Sequence, residues 1–226
     1  MKHTVEIIKT DDGSNTLFIP ELNETFHSTR GALTESIHVY IKNGLEKMHD
    51  RSAVNILEIG FGTGLNALLT LALAKPGQQV RYFSLEPYPL DRCVLDIYYE
   101  GFETTLHGVS RLQALLETQP GVLTPVTDTF SFCMIHKELE KLEPVDLHGF
   151  KASLVYYDAF GPSKQPEMWT TASLQKVMDV MADQALLVTY CAQGQFKRNL
   201  LTLGMEVQNP PGALGKREMT VAKYTI

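Results

Sequence analysis

The stretch Asn55-Ile-Leu-Glu-Ile-Gly-Phe-Gly-Thr-Gly-Leu-Asn66 decides the fold. Ala53 to Ile59 is a short apolar run rich in β-formers and bounded by glycine, the pattern of a strand buried on both faces. Leu65 to Lys75 (LNALLTLALAK) is apolar on nearly every side, which predicts a buried helix. Gly60, Gly62 and Gly64 lie between the two. A strand, a glycine turn and a helix N-terminus together let backbone approach a ligand closely.

Spacing narrows the ligand class. The dinucleotide fingerprint is G-x-G-x-x-G, its second glycine making room for a pyrophosphate. Here Leu65 occupies the third-glycine place, and the pattern is G-x-G-x-G. Glu58 precedes the turn, and its charge suits an ammonium or sulfonium better than a diphosphate. This E-x-G-x-G-x-G spacing resembles motif I of the S-adenosylmethionine-dependent methyltransferases. Val80-Arg-Tyr-Phe-Ser-Leu-Glu86 reads as the next strand, ending in a carboxylate 22 residues after Gly64. In a βαβ unit an acid there faces the ribose of a bound nucleoside, where its oxygens accept both hydroxyl protons.

Working outward, Val5 to Lys9 and Thr16 to Pro20 flank Asp11-Asp12-Gly13-Ser14-Asn15, which predicts a hairpin. A helix is expected from about Leu33 to Met48, with Ile37, Tyr40, Ile41, Leu45 and Met48 on one face. Leu90 to Glu117 reads as a mostly helical insertion with Gly101 and Gly108 as breaks, and Gly121 to Pro125 as a loop. Phe130 to Ile135 predicts a third strand of the main sheet, followed by a helix over His136 to Leu142. Ala152 to Asp158 is the fourth strand, followed by Ala159-Phe-Gly-Pro162. Ser173 to Met181 is helical, Ala185 to Tyr190 a fifth strand, and Gln193 to Leu203 a helix closed by Gly204. Met205 to Gln208 and Glu218 to Thr225 form a terminal hairpin. Alternating strands and helices imply a parallel sheet covered on both faces, with one antiparallel strand from the hairpin. Two regions are expected, an N-terminal hairpin-and-helix extension over 1–50 and a single compact unit over 51–226.

Composition sets outer bounds. The chain has 226 residues, 44% of them hydrophobic, enough for one substantial core. No apolar run reaches 18 residues and the first residues lack a signal-peptide pattern, so a cytoplasmic protein without membrane association is expected. Cys93, Cys133 and Cys191 form no C-x-x-C pair, and the seven histidines show no ligand spacing, so no metal site is expected. The formal net charge of −6 argues against nonspecific phosphate attraction as a way of life.

Ligands of open α/β sheets bind beyond the carboxyl ends of the central strands. That rule gathers Gly60 to Gly64, Glu86 and Asp158. Asp158, followed by the rigid turn Phe160-Gly161-Pro162, is the expected catalytic carboxylate. It can orient or deprotonate an amine beside a ring that packs on a planar base.

Several segments together resemble the bacterial tRNA methyltransferases that finish the 5-methylaminomethyl group of the wobble uridine, found alone (MnmD type) or as half of a bifunctional protein (MnmC type). They are EIGFGTGLNALLTL (58–71), SLEPYPL (84–90), YYDAFGPSKQPEMWT (156–170) and GQFKRNLLTLGMEVQNPPGALGKREM (194–219); GALTESIHVY (31–40) also fits. The resemblance implies the seven-stranded Rossmann-like sheet of class I methyltransferases, with S-adenosyl-L-methionine as cofactor. By it, Glu35, Glu58, Gly60, Phe61, Gly62, Thr63, Gly64 and Asn66 would lie about the cofactor, and Glu86 at its ribose. Asp158, Phe160 and Pro162 would form the acceptor site, facing tRNA carrying a 5-aminomethyl-(2-thio)uridine. Phe160 and Trp169 are candidate stacking platforms for the splayed base, core packing being the alternative for Trp169. Lys197, Arg198, Lys216 and Arg217 are candidate phosphate contacts. No flavin-binding glycine pattern is present, so the oxidase half of the bifunctional form is not expected here. One departure is Ile135-His136-Lys137, where the family carries a Gly-Asp pair for the adenine amine, so that contact stays unassigned. Rival readings are an aminopropyltransferase-like or other small-amine alkylating enzyme, an NAD(P) oxidoreductase, and a noncatalytic nucleotide-binding module.

Overall fold

A computed structural model describes residues 4–100 and 108–225. The central sheet is built on β4 (Ala53–Ile59), which pairs in parallel with β5 (Gln79–Leu85) on one side and β8 (Ala152–Tyr157) on the other. β7 (Phe130–Ile135) extends the sheet beyond β5, and β9 (Met181–Thr189) extends it beyond β8, both in parallel. The antiparallel β11 (Thr220–Tyr224) and then β10 (Glu206–Gln208) close that edge. These seven strands run in the order β10-β11-β9-β8-β4-β5-β7. An eighth, β6 (Thr124–Pro125), pairs antiparallel at the far edge of β7, within a segment expected to be loop alone.

β4, β5, β7 and β8 are almost wholly buried, as expected of strands covered on both faces. One face carries α2 (Leu65–Leu73), α3 (Arg92–Tyr99), α4 (Gly108–Leu116) and the N-terminal segment, sharing a core that includes Leu17, Tyr40, Leu68, Tyr82 and Leu95. The other carries α5 (Thr171–Met178) and α6 (Gly194–Thr202) over Leu57, Phe83, Val155, Trp169 and Phe196. Chain order reverses between β4 and β8. The chain leaves β4 towards β5 and β7, then returns on the opposite side, and at such a switch point the connecting loops diverge to leave a crevice.

The N-terminal segment forms its own small sheet of β1 (Glu6–Lys9), β2 (Asn15–Ile19) and an unforeseen β3 (Glu24–Thr25). Asp12 in the hairpin turn reaches out of it to cap α1 (Ala32–Ser36). Its Oδ2 accepts the Thr34 backbone N–H at 3.0 Å and the Thr34 hydroxyl at 2.7 Å. Burial alone would raise the Asp12 pKa, but hydrogen bonds from Ser14, Thr10 and Thr34 outweigh it and hold the carboxyl well below the usual range.

Two expectations need correcting. The helix expected over 33–48 is α1, then a π-helical segment Ile37–Lys42, then a 3₁₀ turn Leu45–Met48. The Asn43 side-chain amide donates to His38 O at 2.7 Å, satisfying a carbonyl of the widened turn. Hydrophobic period cannot reveal this, because the same residues remain inward. In place of a helix over 136–142 there is only a 3₁₀ turn, Leu139–Lys141. Gly108 is the first residue of α4, and Gly101 lies outside the described residues. No helix among the described residues is long and apolar enough to cross a membrane.

Candidate active site

The three turn glycines all have positive φ, and two positions show why glycine is required there. A Cβ on Gly60 (φ 91°) would lie 2.7 Å from Asp158 O, so the two loops that bound the crevice touch through backbone. A Cβ on Gly64 (φ 79°) would lie 2.5 Å from the Phe61 ring, which folds back beneath the turn. The turn is tied to β5 by Gly60 N–H donating to Leu85 O at 2.9 Å.

Glu86 stands half-buried just past β5. Its Oε2 accepts Gly62 N–H at 3.2 Å and its Oε1 accepts Tyr88 N–H at 2.9 Å. Two backbone donors fix the carboxylate beside the turn, and each oxygen keeps lone-pair capacity for a hydroxyl.

Across the crevice, Asp158 follows β8 and is half-buried. Tyr40 OH donates to its Oδ1 at 2.5 Å, and Asn66 Nδ2 donates to its Oδ2 at 2.8 Å. Burial raises the Asp158 pKa to about 7. The Tyr40 and Asn66 hydrogen bonds oppose that rise, the Glu35 charge adds to it, and the Lys216 charge opposes it. Burial, then the Asp158 charge, drives the Tyr40 phenol well above its ordinary value, so it remains a donor. A carboxyl titrating near neutrality is suited to exchanging a proton with an amine.

Glu58 lies deeper than its expected role at the cofactor requires. It is fully buried, with Oε2 accepting Ser84 Oγ–H at 2.7 Å and Oε1 accepting Asn66 Nδ2 at 3.2 Å. Burial pushes its pKa up to about 8. Phe61 and Thr63 are likewise turned inward. The Phe61 ring packs on Phe132 at 5.8 Å, and Thr63 Oγ1 meets His27 Nε2 at 3.0 Å. Burial depresses the His27 pKa to about 4, the Glu35 charge opposing it, so its ring is neutral near pH 7. These three side chains brace the turn, and at Phe61 and Thr63 only backbone remains to face a ligand.

Glu35 is 8% exposed and bridges two loops, with Oε2 accepting Ser28 N–H at 3.0 Å and Oε1 2.5 Å from Lys216 Nζ. Lys216 also lies 5.7 Å from the Tyr190 ring centroid, and Tyr190 OH donates to Ala159 O at 2.9 Å. Phe160 and Pro162 are half-buried, with Phe160 edge-on to Phe26 at 5.1 Å. Trp169 is 3% exposed among Tyr157, Tyr190 and Phe196, and its Nε1–H donates to Phe160 O at 2.8 Å. That burial leaves no ring face for a base, and Trp169 packs in the core beneath the Phe160–Pro162 loop. Lys197 is ion-paired to Glu218 at 2.9 Å, whereas Arg217 is exposed. His136, at the place of the missing acid, is exposed. Among the described residues no cluster of three metal-ligating side chains occurs.

Sequence reasoning missed Tyr40, His27 and Tyr190 as site residues. Periodicity puts Tyr40 on the apolar face, and it is buried there, but its hydroxyl's partner lies 118 residues away in the sequence. A tyrosine in place of leucine on that face was the available signal, because a buried phenol needs an acceptor.

Comparison with known proteins decides the class. The family model described as S-adenosyl-L-methionine-dependent methyltransferase matches residues 123–225. The tRNA 5-methylaminomethyl-2-thiouridine biosynthesis bifunctional protein MnmC of Ralstonia nicotianae is 32% identical over 92% of this chain and 33% of that protein. Its counterpart from Cupriavidus metallidurans is 31% identical over 97% of this chain and 34% of that protein. Residues 123–225 thus match the S-adenosyl-L-methionine-dependent methyltransferases, and the sequence likeness to the MnmC proteins extends over nearly the whole chain. The chain spans about a third of the length of these curated relatives. The crystal structure of MNMC2 from Aquifex aeolicus superimposes with a TM-score of 0.77 at 28% identity, over 98% of this chain and 70% of that one. DesVI of Streptomyces venezuelae, at 10% identity and a TM-score of 0.50, shares the fold alone. The class I methyltransferase sheet and the enzymatic class follow; the oxidoreductase and noncatalytic readings are not favoured.

The turn fits S-adenosyl-L-methionine on structural grounds. Glycine at 60 and 64 lets the turn close against Asp158 and Phe61 with its backbone outward, Glu86 is fixed at a strand end, and Asn66 Oδ1 is buried without a hydrogen-bond partner among the described residues.

Proposed function

We propose that this methyltransferase acts on the primary amine of the 5-aminomethyl group on the wobble (2-thio)uridine of tRNA, giving the 5-methylaminomethyl base. One observation carries the reading: a half-buried Asp158, titrating near neutrality, faces the crevice beside the glycine turn with both oxygens oriented by Tyr40 and Asn66. The names of the relatives support the substrate, because they describe proteins of tRNA 5-methylaminomethyl-2-thiouridine biosynthesis.

Gly60, Gly62, Gly64 and Asn66 would hold the methionine part of the cofactor and Glu86 its ribose, with Glu35 bracing the loops nearby. Bound there, S-adenosyl-L-methionine supplies an electrophilic methyl group. The rest is the work of the chain. An aminomethyl nitrogen is largely protonated at neutral pH, and only the free amine has a lone pair to give. Asp158 accepts that proton and holds the amine by an N–H bond, while Tyr40 and Asn66 fix its carboxylate in one rotamer. Holding the reactants in register is where most of the acceleration in such a transfer arises. Phe160 offers its ring to the splayed base, Pro162 stiffens the loop, and Lys216 and Arg217 lie at the rim for backbone phosphates.

The test is transfer of labelled methyl from S-adenosyl-L-methionine to tRNA bearing 5-aminomethyl-2-thiouridine, with unmodified tRNA and small amines alongside. Label confined to the modified tRNA is the expected result. Label entering small amines, or no acceptor at all, would reject the proposed substrate.

A further inference from the structure

Glu58 is a buried acid that the reaction above does not use. It occupies β4 in register with Tyr156 of β8 and Ser84 of β5. Asp158 lies two residues beyond Tyr156, and strand side chains alternate faces, so both acids belong to one face of the sheet, Glu58 about 7 Å deeper. Between them stands Asn66, from the first turn of α2. Its single Nδ2 serves both carboxyls, at 2.8 Å to Asp158 Oδ2 and 3.2 Å to Glu58 Oε1. An amide whose two hydrogens are so used is locked about χ2, and its Oδ1 is left buried without a partner among the described residues. The amide therefore has one orientation, set from below by Glu58 and read above by Asp158.

Two ionised carboxylates sharing one neutral amide in a dry interior repel, and no cation contacts Glu58 among the described residues. The groups facing it are Ser84, Asn66, Tyr82, Tyr99, Tyr156 and Asp158, all neutral or acidic. The groups facing Asp158 are Tyr40, Asn66, Glu35, Glu58, Tyr82, Tyr190 and Lys216. The one cation thus stands on the Asp158 side, so the charge of the pair belongs on Asp158 and the proton on Glu58.

We propose that Glu58 remains protonated in the working enzyme, its Oε2–H donating to Ser84 Oγ where a carboxylate would accept, and, through the Asn66 amide, positions the Asp158 carboxylate without touching the sulfonium donor. The assignment rests on the methyl-transfer reading only in giving Asp158 its task. The hydrogen-bonded chain itself can be tested without any acceptor.

Glutamine reproduces a neutral, hydrogen-bonding carboxylic acid, while leucine keeps bulk and loses the bonds. Glu58→Leu should lower kcat about tenfold or more and leave the KM for S-adenosyl-L-methionine within twofold. Glu58→Gln should restore kcat to within about threefold at neutral pH. A Gln variant as impaired as the Leu variant, or a KM for the donor raised more than tenfold with kcat unchanged, would overturn the proposal. A second measurement uses the carboxyl carbon resonances of 13C-labelled Glu in the full chain, followed against pH. In Asp158→Asn the Glu58 midpoint should fall by about one unit, because a neighbouring negative charge has gone. An unmoved midpoint would overturn the proposal even if both Glu58 variants failed to fold. A shifted midpoint in a protein that methylates no tRNA would reject the substrate assignment and leave this positioning role standing.

Discussion

The two walls of the crevice are made of different material. The wall after β4 is backbone: three glycines in unusual conformations, with side chains turned inward to brace them. The wall after β8 is side chain: Asp158, held by Tyr40 from the N-terminal segment and Asn66 from α2, with Lys216 arriving from the C-terminal loop. A ligand common to a large enzyme class needs only close approach and fixed amides, which a dozen consecutive residues supply. A proton acceptor tuned towards neutrality needs burial and several oriented partners, which only distant segments can supply together.

The largest expected difference between the walls comes from the side-chain wall. Asp158→Ala should lower kcat by about 10²–10⁴, the usual share of a positioned acid or base. Donor affinity, measured by calorimetry, should stay within about threefold. Loss of donor binding instead would mean that the walls are not separable. The reciprocal change is Gly60→Ala, which places a methyl 2.7 Å from Asp158 O at a φ of 91°. Donor affinity should fall about tenfold or more, roughly 1.4 kcal/mol. Unaltered donor binding would show that the glycine turn is not the donor wall.

Tyr40→Phe sharpens the comparison further. Its hydroxyl favours the ionised form of Asp158, so removing it should move the acid limb of the kcat profile upward from about pH 7 and cost about tenfold in rate at neutral pH. A limb that stayed in place would detach Tyr40 from the base.

The smallest effect concerns stability. Glu58 has a folded pKa of about 8 against an ordinary 4.5, so the native state holds its proton more tightly than the unfolded chain. That contribution is complete below about pH 4.5 and disappears as pH rises through about 8. The wild-type Tm should therefore decline between pH 6 and 9 relative to Glu58→Gln, by about 2–4 °C for each kcal/mol in a domain of this size. Parallel Tm curves would place the Glu58 proton elsewhere.

Residue pattern alone determined the sheet, its parallel core, the closing hairpin and the glycine turn, because these depend on period, β-branching and glycine spacing within short windows. It also placed Glu86 and Asp158 at strand ends, through a topological rule that needs only strand order. Tertiary structure decided the rest. It set Glu58 in the core and Asp158 at the rim, turned Trp169 inward, widened the helix through Tyr40, and brought Lys216 to Glu35 across 181 residues. Burial and partnership are properties of the folded surroundings, and they fix whether a carboxyl is a base, a ligand or a silent acid.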